Sequence, residues 1–259
     1  MLLSIKLSKR LCHEHRVNNI MVLDINRIQA LLFDIDGTIS DTDNHMVMRL
    51  MKLFSPIRWA FRGKDPQPFA RWLVMAAETP GSFLYSLSDR FGFNKHLSKL
   101  FKSIASLRRS HRNPSNLFFI VPGVKGALQT LHQHYPMAVV SARDERTTRL
   151  FLKHFGLDQF FLVVVTAQTC KHTKPYPDPL IFAAKNLGVP VENCLMIGDT
   201  IVDVHAALSA GAQTLSVLCG FGSERELSRA GTQHILPSTD LVSDFLLAET
   251  ASSLPRNVA

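Results

Sequence analysis

Four stretches of the chain place acidic, hydroxyl or cationic side chains where short apolar runs end. Asp34-Ile-Asp36-Gly-Thr38 closes the run that begins at Gln29, and Ser141 follows the apolar residues 137–140. Lys174 lies on the loop after the run 160–166, and Gly198-Asp199-Thr-Ile-Val-Asp203 follows 194–197. If the four runs are neighbouring strands of one sheet, several carboxylates, one hydroxyl and one ammonium gather at a common edge. Phosphoryl transfer through a covalent carboxylate intermediate is the chemistry that needs such a set.

A carboxylate attacking a phosphate ester is an anion approaching an anion, so a divalent cation has to lie between them. Mg2+ prefers hard oxygen ligands, and Asp34 and Asp199 would supply them, with the main-chain carbonyl of Asp36 as a third. The departing alkoxide needs a proton and the later hydrolysis needs a base. Asp36 could serve both steps if burial and neighbouring carboxylates raise its pKa. Positions 34 and 36 share one side of an extended backbone, and Gly37 lets the chain turn away. Ser141, the backbone N–H groups beside it at Ala142, and Lys174 would neutralise the transferring phosphoryl oxygens.

The elements that must present these residues alternate regularly. A strand over 29–35 comes first. After Pro122-Gly123 follow a helix over 123–134, a strand over 137–141 and a helix over 145–155 closed by Gly156. Then come a strand over 160–166, a helix over 179–187 closed by Gly188 and a strand over 194–197. A helix over 201–210 closed by Gly211, a strand over 214–218 and a short helix near 223–230 complete the pattern. Alternating strands and helices with short connections imply an α/β fold, a parallel sheet covered by helices on both faces. In such a sheet, ligands bind beyond the carboxyl ends of the strands.

Residues 41–117 have a different texture, with apolar and basic residues at helical spacing broken by Pro and Gly, and read as an inserted helical cap. This segment holds thirteen Lys or Arg against five acids, while the whole chain has a net charge of +8. The basic excess is therefore concentrated in the cap, either as a solvated helix surface or as an electropositive mouth for an anionic substrate. Arg58 and Arg62, near Trp59 and Trp72, are the cap residues that could clamp a second anionic group. The two Trp residues at helical spacing also suit a core. The organisation expected is an N-terminal extension over 1–27, a core over 28–40 and 118–245, the cap over 41–117 and a tail over 246–259.

No apolar run approaches the roughly 20 residues that a membrane span needs, and residues 1–10 lack the apolar region of a signal peptide. The four cysteines, Cys12, Cys170, Cys194 and Cys219, form no Cys-x-x-Cys pair. Both observations point to a cytoplasmic setting, with Cys194 as a small core residue.

Phe33-Asp-Ile-Asp-Gly-Thr38, Ser141, Lys174-Pro-Tyr-Pro-Asp-Pro179 and Gly198-Asp-Thr-Ile-Val-Asp203 resemble, in order, the four motifs of the haloacid dehalogenase superfamily. The resemblance spans about residues 29–220. It implies a Rossmann-like core, a Mg2+ cofactor and an aspartyl-phosphate intermediate. Asp34 is then the nucleophile, Asp36 the acid and base, and Ser141, Ala142 and Lys174 the phosphate contacts. Asp34, Asp36 and Asp199 would be the metal residues, joined by Asp203 directly or through water. A second Asp at position 36 is what the phosphatase and phosphomutase branches carry. An insert between the first and second motifs is similar to the helical-cap branch that includes phosphoglycolate phosphatase-like enzymes. Ser141-Ala-Arg143 departs from the Asn or Lys often found there, which leaves Arg143 as an extra phosphate contact or a surface residue.

Several of these residues also have structural readings. Asp41 suits a helix cap, Thr200 the start of a helix, and Asp203 the favourable end of a helix dipole. His154, His172 and His205 have no shared metal spacing and read as surface or packing residues, with His172 nearest to Lys174. The leading expectation is a phosphatase for a small phosphorylated metabolite resembling phosphoglycolate. The alternatives are a phosphomutase or phosphonatase on the same core, and a binding protein whose basic cap holds nucleic acid. The last leaves the catalytic set without a use, so neither a nucleic-acid nor a membrane partner is expected.

Overall fold

The computed structural model describes residues 22–41 and 118–253. The cap segment from 42 onwards, with Arg58, Arg62, Trp59 and Trp72, lies outside the described residues, as does the helix that Asp41 was expected to cap. The numbering of elements below covers the described residues.

Six parallel strands form one sheet in the order β3-β2-β1-β4-β5-β6. They are β1 (Ala30–Phe33), β2 (Met137–Val140), β3 (Val163–Val165), β4 (Cys194–Gly198), β5 (Gln213–Val217) and β6 (His234–Leu236). The helices between and after them are α1 (Val124–Leu131), α2 (Glu145–Phe155), α3 (Asp178–Leu187), α4 (Ile201–Ala210), α5 (Glu224–Ala230) and α6 (Val242–Ser253).

Strand β1 is buried along its whole length, because side chains alternate between two covered faces. Leu31 and Phe33 enter one core with Val124, Leu128 and Leu131 of α1, Phe151 and Leu152 of α2, and Leu246 of α6. Ala30 and Leu32 enter the other with Leu180, Ala183 and Ala184 of α3 and Ala206 and Ala207 of α4. The small residues on α3 and α4 let these helices lie close to the sheet. Phe33 also meets Phe161 edge to face at 6.1 Å.

Several helix limits follow from chain chemistry. Asp144 starts α2 by accepting a hydrogen bond from Thr147 N at 3.0 Å, and Gly156 ends it in the left-handed conformation. Gly188 and Gly211 end α3 and α4 in the same way.

Three stretches differ from the sequence reading. The apolar run 160–166 is only partly strand: Asp158–Phe160 forms a 3-10 turn, and Phe160 and Phe161 reach the core from outside the sheet. An apolar run alone does not distinguish these two uses. Strand β6 was missed because it has three half-buried residues at a sheet edge. The expected tail from 246 is instead part of α6, whose Val242 and Leu246 are fully buried. At the other end, residues near 24 dock onto the core. Asp24 N donates to Gln213 Oε1 at 2.7 Å, and Gln213 Nε2 donates to Asp24 O at 2.9 Å.

Candidate active site

The strand order reverses direction at β1, where β2 lies on one side and β4 on the other, the place in such sheets where ligands bind beyond the carboxyl ends. Phe33 is level with Val139 of β2 and with Ile197 of β4. Asp34 continues the ladder, its N–H donating to Ile197 O at 3.0 Å. This register brings Asp34, Ser141 and Asp199 to one edge.

Asp34, Asp199 and Asp203 are all buried, and each offers a carboxylate oxygen within 4.8 Å of the others. Lys174 arrives from the loop after β3. Its buried ammonium donates to Asp34 Oδ1 at 2.7 Å and to Asp203 Oδ1 at 2.6 Å. With all three acids ionised, this single ammonium leaves two negative charges uncompensated inside the protein. Buried charge of that size calls for a counter-ion, and an all-oxygen donor set suits a hard divalent cation such as Mg2+.

Burial pushes the Asp34 carboxyl up to about 7 against the opposing pull of Lys174, with Asp203 and Asp36 adding to the rise. Asp199 is also raised well above the usual carboxylate range, first by burial and then by Asp203 and Asp34. Burial alone would lower the Lys174 pKa, but Asp203 and Asp34 together carry it above its ordinary value, so the ammonium stays charged.

Asp203 makes two kinds of contact. Its Oδ2 accepts from Thr200 N at 3.1 Å and from Thr200 Oγ1 at 2.7 Å, fastening the start of α4, while Oδ1 receives Lys174. Thr200 is thus helix-start chemistry, as expected.

Asp199 is enclosed by backbone. Phe221 N donates to its Oδ2 at 2.8 Å, Gly222 N to its carbonyl at 3.0 Å, and Thr38 Oγ1 to its Oδ1 at 3.3 Å. A Cβ at Gly220 would lie 2.0 Å from Oδ2 and one at Gly37 2.2 Å from the same atom. Gly37 has φ +75, so the turn expected after Asp36 is present. The loop 219–222 was not identified from the sequence. Its only signal there is Gly220-Phe-Gly222 at a strand end.

The carboxylate of Asp36 is not among the three clustered acids. It is half-buried and paired with Arg143, whose Nε donates at 2.8 Å to Oδ1 and 2.7 Å to Oδ2 and whose Nη2 also contacts Oδ1. The proposed share of Asp36 in metal binding therefore rests on its main-chain carbonyl, and its side chain has a different partner. Arg143 is not a surface residue, since its side chain is 14% exposed. Ser141 is buried and its Oγ accepts from Arg143 N at 3.2 Å, with Ala142 on the bend between them.

Among the histidines, His154 packs against Phe118 and Phe155, while His205 is exposed. His172 pairs with Asp178 at 3.1 Å and lies against Tyr176 on the loop that carries Lys174. Cys194 is fully buried, and burial pushes its thiol up to about 11.

The parallel sheet with buried acids at its strand switch defines a Rossmann-like α/β core, and residues 31–217 match the family model described as haloacid dehalogenase-like hydrolase. The chain belongs to that family, and the expectation of a phosphatase-type hydrolase stands. A pyrophosphatase PpaX from Bacillus cereus is 31% identical over 74% of this chain and 83% of its own. A phosphoglycolate phosphatase from Neisseria meningitidis is 26% identical over 79% of this chain and 86% of its own. The crystal structure of a hydrolase from Pseudomonas syringae superposes with a TM-score of 0.62 at 26% identity, covering 84% of this chain and 97% of that one.

Proposed function

We propose that this hydrolase is a Mg2+-dependent phosphatase that removes a phosphoryl group from a small anionic substrate through an aspartyl-phosphate at Asp34. The observation that carries the reading is the Lys174 ammonium held between Asp34 and Asp203 beside Asp199. This arrangement leaves Asp34 as a buried carboxylate oriented by one cation, with room in the charge balance for a second.

Asp34, Asp199 and the Asp36 main-chain carbonyl would hold Mg2+, with Asp203 directly or through water. When bound, the ion supplies Lewis-acid charge neutralisation for the phosphoryl oxygens. Asp34 attacks phosphorus, the bond to the leaving oxygen breaks, and that oxygen takes a proton from Asp36. In the second step Asp36 accepts a proton from water as its oxygen attacks phosphorus. The bond to Asp34 then breaks, releasing phosphate and restoring the carboxylate. Ser141, the Ala142 N–H and Lys174 hold the phosphoryl oxygens.

Chemistry and the names of relatives together support one substrate class. A phosphomonoester such as phosphoglycolate and an inorganic diphosphate both offer a terminal phosphoryl group with an anionic neighbour. The relatives carry phosphoglycolate phosphatase and pyrophosphatase names, which supports testing both. In the cap, Arg58 and Arg62 would meet the second anionic group.

The test is Mg2+-dependent phosphate release from 4-nitrophenyl phosphate, followed by a screen of small phosphorylated metabolites and diphosphate. Asp34→Asn is expected to abolish turnover, because an amide is not a nucleophile here and is a poorer cation ligand. Retained turnover in the purified variant would remove the mechanism. A requirement for a sugar bisphosphate primer would point to a mutase, and borohydride trapping of a lysine adduct to a phosphonatase.

A further inference from the structure

Arg143 belongs neither to the acidic cluster nor to the surface. It reaches from the bend after β2 to the turn after β1, and its guanidinium forks onto both oxygens of Asp36. The reach is held at three points. Arg143 N donates to Ser141 Oγ, its carbonyl accepts from Ala167 N at 3.0 Å, and its guanidinium carbon lies 5.3 Å from the centre of the Phe151 ring. Nη2 also comes within 3.4 Å of Ser40 Oγ, on the far side of the turn that carries Asp36.

We infer that Arg143 is a positioning residue for the proton-transfer step: it fixes the direction of the Asp36 side chain, so that in the protonated acid one oxygen stays on the guanidinium while the other carries the proton to the leaving oxygen. This inference rests on the phosphatase reading above.

The physical need is specific. Asp36 is followed by a left-handed glycine, and its side chain is 29% exposed, so packing alone does not select one direction for its carboxylate. Proton transfer requires an approach of about 2.6–3.2 Å to the leaving oxygen. A misplacement of about 1 Å can cost on the order of a hundredfold in rate. A planar fork binding both oxygens restricts the rotation of the carboxylate as a point charge does not. The stack on Phe151 restricts the guanidinium in turn.

The test compares kcat/KM for substituted phenyl phosphates, from 4-nitrophenyl to unsubstituted phenyl, in wild type, Arg143→Ala, Asp36→Asn and the double variant. A 4-nitrophenolate departs without help, whereas phenolate gains from a donated proton. If Arg143 acts through Asp36, Arg143→Ala loses at least about tenfold more on phenyl phosphate than on the nitrophenyl ester. The double variant then falls no further than Asp36→Asn. Arg143→Lys, which keeps the charge but not the fork, should show the same leaving-group bias in weaker form, and it serves if the alanine variant fails to fold. An equal loss on all esters, or a double variant with additive losses, overturns the inference and leaves the phosphatase reading intact. A wild type that releases no phosphate from either ester overturns both.

Discussion

Lys174 Nζ lies 2.6 Å from Asp203 Oδ1, joining the loop after β3 to the first turn of α4 across 29 residues of sequence. The same ammonium reaches Asp34 at 2.7 Å, so one cation orients the proposed nucleophile and is itself oriented by a helix start.

Replacing that cation tests its structural share. Lys174→Met keeps much of the side-chain length but leaves buried Asp34 and Asp203 without their counter-charge. Breaking a buried pair by removing one partner costs about 3–5 kcal/mol. Urea unfolding with EDTA present is expected to show a loss of that order, and Mg2+ is expected to recover part of it by supplying positive charge to the same cluster. An unchanged unfolding midpoint would mean that the ion pair contributes nothing to the fold.

Asp203→Asn separates positioning from charge. The amide can still meet Thr200 at the start of α4, but it holds Lys174 less firmly. Helix α4 should therefore persist by circular dichroism, while kcat/KM falls about 10- to 100-fold, as for other partners that orient metal-site or catalytic groups. A variant with full activity would reduce Asp203 to its helix-start function.

Two glycines make a contrasting pair. At Gly220 an added Cβ would stand 2.0 Å from Asp199 Oδ2, so Gly220→Ala must displace either that carboxylate or the loop whose Phe221 N–H binds it. The expected result is Mg2+ activation that needs at least about tenfold more metal, in line with losses seen when groups around a metal ligand are disturbed. Gly126 lies inside α1 with nothing within 4 Å of an added Cβ. Gly126→Ala should instead stabilise the protein by about 0.5–1 kcal/mol, the helix-propensity difference, with unchanged Mg2+ dependence. Equal metal dependence in both variants would show that the crowding around Asp199 does not matter.

The centre of the sheet was legible because β1, β2 and β4 are apolar runs that each end in chemistry. Asp34, Ser141 and Asp199 follow apolar runs whose parallel register then places them together, and helices closing at Gly156, Gly188 and Gly211 mark the return of the chain. What could not be read depended on contacts distant in sequence. The pairing of Arg143 with Asp36 spans 107 residues, and an Arg on a bend carries no local sign of its partner. The loop 219–222 around Asp199 was hidden for the same reason, since a Gly-rich stretch says that backbone comes close to something without saying to what. In the run 160–166, two phenylalanines filled the core from a turn, and their apolarity suited a strand equally well.

The pH response of the metal-free protein follows from the two buried acids. Burial raises Asp34 to about 7 and Asp199 well above its usual range, whereas both titrate at about 4 in the unfolded chain. Between those values the folded state holds protons that the unfolded state has lost. The Asp34 contribution is complete below about 4 and disappears as pH rises through about 7, and that of Asp199 is lost as pH rises through its own raised pKa. With EDTA, Tm should therefore fall between pH 5 and pH 8. A cation competes with these protons for the same oxygens, so the Tm gain from Mg2+ should grow over the same interval. Asp34→Asn removes one of the two titrating groups and should flatten the EDTA profile. Thermal scans at pH 5, 6, 7 and 8, with and without Mg2+, check all three statements. A Mg2+ shift of equal size at pH 5 and pH 8 would place the ion away from Asp34 and Asp199.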